Sequence, residues 1–218
     1  MNSYESIFSR LFSEYGPQSW WPADTAFEIM VGAILTQNTA WLNVERALAN
    51  LKSAQLLCAE ALLNTTAEEL APLLKPSGYF NVKAQRLLAF VEWYCAEGQY
   101  PTLKSIKTLE LRKRLLSVKG VGPETADDIL LYAFNRKVFV IDAYTRRIFS
   151  RLGHVEITTS YEVLRACFER HLAKQDVALF NEYHALIVKH GKDVCKTRPD
   201  CSCCCLDSCC PKQGVKEN

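Results

Sequence analysis

The sequence predicts an all-α fold, because strand signals are scarce and apolar residues recur at helical spacing along most of the chain. Phe27 to Leu48 reads as one or two helices with a break near Thr36-Gln37-Asn38. Pro76-Ser77-Gly78 forms a turn before another helical run, Val82 to Cys95. From Leu111 to Phe134 two helices flank a glycine-rich turn. Ile141, Thr145, Ile148 and Leu152 then form a helical stripe that Gly153 ends. Phe180, Tyr183, His184 and Ile187 make the apolar face of a last helix, expected to stop at His190-Gly191 with a basic final turn and a glycine cap. Val138 to Ile141 is the one short β-like run, too brief to carry a sheet.

At 218 residues and 49% apolar, the chain can bury a real core in one large domain or two small lobes. A formal net charge of +2 does not announce a polyanion partner, so any such partner must be argued from where the charges sit. No run of about 20 apolar residues is present, which predicts no transmembrane span and no membrane partner. The opening MNSYESIFSR lacks the basic and apolar regions of a secretory signal, so a cytoplasmic location is expected.

The segment LRKRLLSVKGVGPETADDILLYAF is the most informative. A helix ending near Val118 meets Lys119-Gly120-Val121-Gly122, and a second helix opens at Pro123, where the missing N–H costs nothing. The glycines allow a sharp turn with bare amides beside a helix start, a site suited to phosphate. Arg112, Lys113, Arg114 and Lys119 add local positive charge. The plain alternative is a tight helix–helix turn; the flanking helices and basic residues favour binding to a nucleic-acid backbone.

Next comes VFVIDAYTRRIFSRLG. Asp142 falls where a helix N-cap belongs, a role worth about 1 kcal/mol. Its place after the hairpin supports a second role. A fixed carboxylate can stabilise positive charge developing on a sugar as an N-glycosidic bond breaks, or orient or deprotonate water. Arg146, Arg147 and Arg151 are candidate phosphate contacts or a solvated helix face.

Ten cysteines are the anomaly of the composition, and seven of them lie between Cys195 and Cys210. A disulfide scaffold would spread them, so the cluster reads as a metal site. Cys195, Cys201, Cys204 and Cys210 read C-x5-C-x2-C-x5-C, which suits either a [4Fe–4S] cluster or structural zinc. Cys203, Cys205 and Cys209 are surplus, and Cys209 could replace Cys210.

GVGPETAD and VIDAYTRRI together resemble the helix-hairpin-helix and Gly/Pro…Asp signature of the endonuclease III superfamily of DNA glycosylases. The likeness extends to ILTQNT, SGYFNVKA and the terminal cysteines, although the family's first cysteine gap usually holds one residue more. The resemblance implies two helical lobes flanking a DNA-binding cleft, 24–135 and 1–23 plus 136–218, with an iron–sulfur loop at 195–210. It implies base excision repair by a monomer that flips a damaged base out of double-stranded DNA in the bacterial cytosol or nucleoid, with Asp142 catalytic. DNA contacts are expected from Lys83, Lys119, Gly120, Val121, Gly122, Thr125 and Arg146.

Bifunctional members of that superfamily keep a nucleophilic lysine where this chain has Glu124, so a water-using, monofunctional enzyme is expected. Trp20-Trp21-Pro22, LTQNT and LKPSGYFN resemble the bacterial 3-methyladenine glycosylase branch, whose cationic bases aromatics can hold. Trp20 and Trp21 are thus pocket candidates, with core packing the equal alternative. Gln37 resembles the residue that fills the gap left by an extruded base, and Tyr79 the wedge that props the stack. Either could instead be structural. An endonuclease III-like glycosylase/lyase for oxidised pyrimidines is the second reading. A non-catalytic, metal-stabilised DNA-binding protein is the third.

Overall fold

The computed structural model describes residues 3–215, and every regular element in that span is helical. In chain order the helices are α1 (Tyr4–Tyr15), α2 (Ala26–Leu35), α3 (Trp41–Ser53), α4 (Ala59–Leu63), α5 (Ala67–Leu74), α6 (Phe80–Ala96), α7 (Gln99–Leu103), α8 (Thr108–Ser117), α9 (Pro123–Asp128), α10 (Ala143–Arg151), α11 (Tyr161–His171) and α12 (Val177–Asp193). The all-α class is therefore observed. No described helix is long and apolar enough to cross a membrane. The chain forms two compact units: Met1–Trp20 with Lys137–Asn218, and Trp21–Arg136.

In the Trp21–Arg136 unit, α2 is the apolar centre, burying Met30, Val31 and the run Ala33 to Leu35. Thr25 caps its start by accepting from the Glu28 amide. The Glu28 carboxylate, buried, takes the Lys52 ammonium at 2.7 Å and ties α2 to α3. The expected break falls at Thr36 to Ala40. There Thr36 Oγ1 donates back to the Gly32 carbonyl at 2.7 Å, and Asn38 turns left-handed. The helices α8 and α9 form the hairpin, and α9 runs on into one π turn, Ile129–Ala133. Arg112 of α8 donates two hydrogen bonds to Asp127 of α9, at 2.7 and 3.0 Å, and the Asp127 side chain is fully buried. A bidentate pair of this kind fixes both distance and angle between the helices. Arg112 is thus a brace rather than part of a surface patch. Arg114 is also paired, with Glu97 and Glu110, which leaves Lys113 and Lys119 as the exposed cations of the segment.

The other unit packs α1, α10, α11 and α12 around an aromatic core. Phe139 stacks on Phe168 at 4.1 Å, Phe149 lies 4.4 Å from Phe168, and Tyr183 donates to the Tyr4 carbonyl. Val138 to Ile141 is extended but makes no strand. Side chains take its amides: Phe139 donates to Glu169 and Ile141 to Tyr161, so no ladder is needed.

One expectation is corrected. Helix α12 does not stop at His190-Gly191 but continues to Asp193. Gly191 lies inside it because α10 passes too close for a side chain: a Cβ there would meet Tyr144 Cδ1 at 2.6 Å and Tyr144 Cβ at 2.8 Å.

Removing one partner of the buried pair strands the other charge. Asp127→Ala should therefore lower unfolding stability by about 3–5 kcal/mol. Denaturant unfolding checks this, and Asp127→Ala combined with Arg112→Met should recover much of the loss.

Candidate active site and its supporting loops

The hairpin loop is built from Val118 to Gly122. Gly120 sits at φ +91°, and a Cβ there would fall 2.3 Å from Arg86 Cγ, so both backbone strain and the overlying arginine require glycine. Gln37, from the break between α2 and α3, reaches this loop. Its amide nitrogen donates to the Gly120 carbonyl and to Thr125 Oγ1, each at 3.0 Å. Its carbonyl oxygen accepts from Arg86. The side chain of Gln37 is thus held at both ends, its amide nitrogen by the hairpin and its carbonyl oxygen by Arg86 of α6. Thr125 is buried and holds Gln37, and Val121 is buried with its amide donating to the Val118 carbonyl at 3.0 Å. The surface of the turn therefore comes from Lys119 and Gly122, not from Val121 or Thr125.

Lys83, expected among the DNA contacts, is turned inward. It is 1% exposed, and its ammonium donates to the carbonyls of Leu35 at 2.8 Å and Ser77 at 2.6 Å. It closes the ends of two helical segments. Burial, helped by the charge of Arg86, pushes its pKa down to about 8. Tyr79 is the opposite case. It is 72% exposed in a left-handed conformation at the head of α6, an aromatic held out into solvent. Trp21 packs edge-on against Trp41 at 5.0 Å, tilts against Tyr132 at 5.2 Å, and covers Gly32 of α2. Trp20, at the end of the other unit, is half-buried.

Asp142 caps α10. Its Oδ1 accepts from the Thr145 amide at 2.7 Å, while Oδ2 lies 3.7 Å from His184 Nε2 of α12. The carboxylate is 12% exposed. Burial opposes its charge, but His184 and the Thr145 amide outweigh this and hold its pKa below the ordinary carboxylate value. Asp142 is therefore an ionised, pinned carboxylate with one edge accessible. His184 was missed as a site residue because it sits on the apolar stripe of α12. A titratable side chain within an otherwise apolar face was the available signal.

The arginines of α10 point to the cysteine loop. Arg147 donates to the carbonyls of Cys195 and Gly191, each at 2.8 Å. Arg151 donates to Cys195 Sγ at 3.2 Å and to the carbonyls of Lys196 and Thr197. Arg146 is drawn to the carbonyls of Ile157 and Thr159, so its nearest partners are backbone. Cys195, Cys201, Cys204 and Cys210 line one small cavity with Val194, Pro199 and Arg151, while Cys203, Cys205 and Cys209 do not. Among the described residues no three donor side chains converge as a single metal ion would require.

The sequence profile described as the HhH-GPD superfamily of base excision DNA repair proteins matches residues 31–174. A protein of Methanocaldococcus jannaschii named as a DNA repair glycosylase is 46% identical over 94% of this chain and 94% of its own. The chain belongs to the HhH-GPD superfamily. The coarse function comes with that membership: a DNA glycosylase of base excision repair. Endonuclease III of Thermotoga maritima is 29% identical over 84% of this chain and 82% of its own. Among solved structures, the Helicobacter pylori 3-methyladenine DNA glycosylase bound to 1,N6-ethenoadenine superposes with a TM-score of 0.77 at 29% identity, covering 88% of this chain and 98% of that one. An endonuclease III–DNA complex matches the fold with a TM-score of 0.80 at 19% identity, covering 97% of both chains.

Lys83→Met should cost about 1–3 kcal/mol, because two buried carbonyls lose their donor. The folded chain releases the Lys83 proton near pH 8, whereas the unfolded chain holds it to about 10.5. The unfolded state thus binds more protons in that window, and stability from this group rises with pH there. Stability curves of wild type and variant at pH 7.5 and 10 should show that the increment disappears with the lysine.

Proposed function

We propose that this HhH-GPD protein is a monofunctional glycosylase that removes alkylated purines such as 3-methyladenine from double-stranded DNA, using water rather than an enzyme amine. The ionised, pinned carboxylate of Asp142 carries the reading. A carboxylate held charged, buried on most sides and open on one can stabilise an oxocarbenium-like sugar as the glycosidic bond breaks. It can also take a proton from, or orient, the attacking water. His184 and the Thr145 amide keep it ionised and fixed, so little reorganisation remains for the reaction itself.

Water as the nucleophile is supported by Glu124 in the first turn of α9, where a carboxylate cannot form an imine. Likeness to the ethenoadenine-bound 3-methyladenine glycosylase supports alkylated purines. The second reading, a glycosylase/lyase for oxidised pyrimidines, is favoured by the relatives named endonuclease III, and it requires an amine from elsewhere in the chain. On the DNA side, Lys119 and the Gly122 backbone offer phosphate contacts, and Tyr79 offers an exposed aromatic wedge.

The four cavity-lining cysteines fit a [4Fe–4S] cluster. Four thiolates spread around one cavity match a cubane that takes one ligand per iron, and Cys210 rather than Cys209 completes the set. Such a cluster would supply no chemistry to bond cleavage and would hold the 195–210 loop in shape.

Incubation with methylated duplex DNA should release 3-methyladenine as the free base, leaving abasic sites that break only after alkali. Asp142→Asn should lower release by 100-fold or more, in line with loss of a charge-stabilising group. Borohydride should trap no protein–DNA adduct. Release of oxidised pyrimidines with a trapped adduct would transfer the assignment to the second reading. Lys119→Ala should weaken DNA binding evenly across sequences and reduce the slope of log K against log salt by about 1.

A further inference from the structure

Cys204 has a neighbour that the reading of Asp142 leaves unused. His190 of α12 is 1% exposed, and its Nε2 lies 3.5 Å from Cys204 Sγ. Its Nδ1 lies 2.7 Å from the hydroxyl of Tyr15, the last residue of α1. The two rings tilt against each other at 5.9 Å. Both imidazole nitrogens are therefore engaged, one by a phenol and one by a sulfur that lines the four-cysteine cavity.

The chemistry of the pair selects one arrangement. A neutral imidazole carries a single N–H. If that proton sat on Nδ1, the Nε2 lone pair would face an electron-rich thiolate, which is repulsive. If Tyr15 donates its hydroxyl proton to Nδ1, the imidazole proton resides on Nε2 and points at the sulfur. A second ligand sulfur has a donor as well, since Arg151 reaches Cys195 Sγ at 3.2 Å.

We propose that Tyr15 and His190 form a relay that holds an N–H on the Cys204 sulfur and thereby raises the reduction potential of the cluster bound by this loop. The proposal rests on the iron–sulfur reading of the four cysteines. Hydrogen bonds to ligand sulfurs withdraw electron density and favour the reduced, more negative cluster. Tyr15 contributes indirectly, by fixing the tautomer, so its loss should have the smaller effect.

The test measures iron content and reduction potential by direct electrochemistry of the full-length protein, without DNA, for wild type, Tyr15→Phe, His190→Phe and Cys203→Ser. Both relay variants should shift to more negative potential, His190→Phe further than Tyr15→Phe, while Cys203→Ser stays at the wild-type value. Wild-type potentials in iron-loaded Tyr15→Phe and His190→Phe would overturn the relay and leave the cluster reading intact. A wild-type protein carrying zinc or no iron would overturn the cluster reading itself, and the relay with it. His190 is buried, so should His190→Phe fail to load iron, Tyr15→Phe decides: a negative shift upholds the relay and an unshifted potential overturns it.

Discussion

In the unit that carries Asp142, one constraint organises the rest: α10 and α12 cross where residue 191 has no side chain. The ring of Tyr144 occupies the space a Cβ would need. That approach brings His184 within 3.7 Å of Asp142 at one end of the contact. At the other end it lets Arg147 reach the Gly191 and Cys195 carbonyls. A wider crossing would lengthen both interactions together. The His184 contact of the carboxylate and the Arg147 contacts of the cysteine loop thus share a single packing distance.

The Trp21–Arg136 unit achieves rigidity differently, through buried polar groups placed around the hairpin. The Arg112–Asp127 pair fixes the two helices, and Gln37, Arg86 and Thr125 fix the turn between them. A loop that is to meet a polyanion gains from such bracing, because a preorganised loop loses less conformational entropy on contact.

Much of this was legible in the sequence. Helical periodicity, the turn glycines, the Pro123 start and the N-cap position of Asp142 follow from local rules, and the structure has them. What local rules could not supply was the partner of each polar side chain. Lys83 and Thr125 sit in motifs that suggest DNA contact, yet their neighbours across the fold, Leu35 and Ser77 for one and Gln37 for the other, turn them inward. Gly191 looked like a helix stop because glycine after a basic turn usually is one. Its actual reason, the ring of Tyr144, lies 47 positions earlier in the chain. Spacing singles out Cys195, Cys201, Cys204 and Cys210 but leaves Cys209 as an alternative fourth, and it is the fold that lines one cavity with the first set.

The bonds that Arg151 makes bear on how the C-terminal region opens. Its side chain holds Cys195, Lys196 and Thr197, while its carbonyl accepts from the Gln213 amide just beyond the loop. The end of α10, the start of the cysteine loop and its exit therefore meet at one residue. Segments tied in this way open and close together, as a single cooperative unit in hydrogen exchange. The last turn of the helix that Asp142 caps and the cysteine loop should accordingly share one opening free energy, so that loosening the loop also frays that helix from its far end.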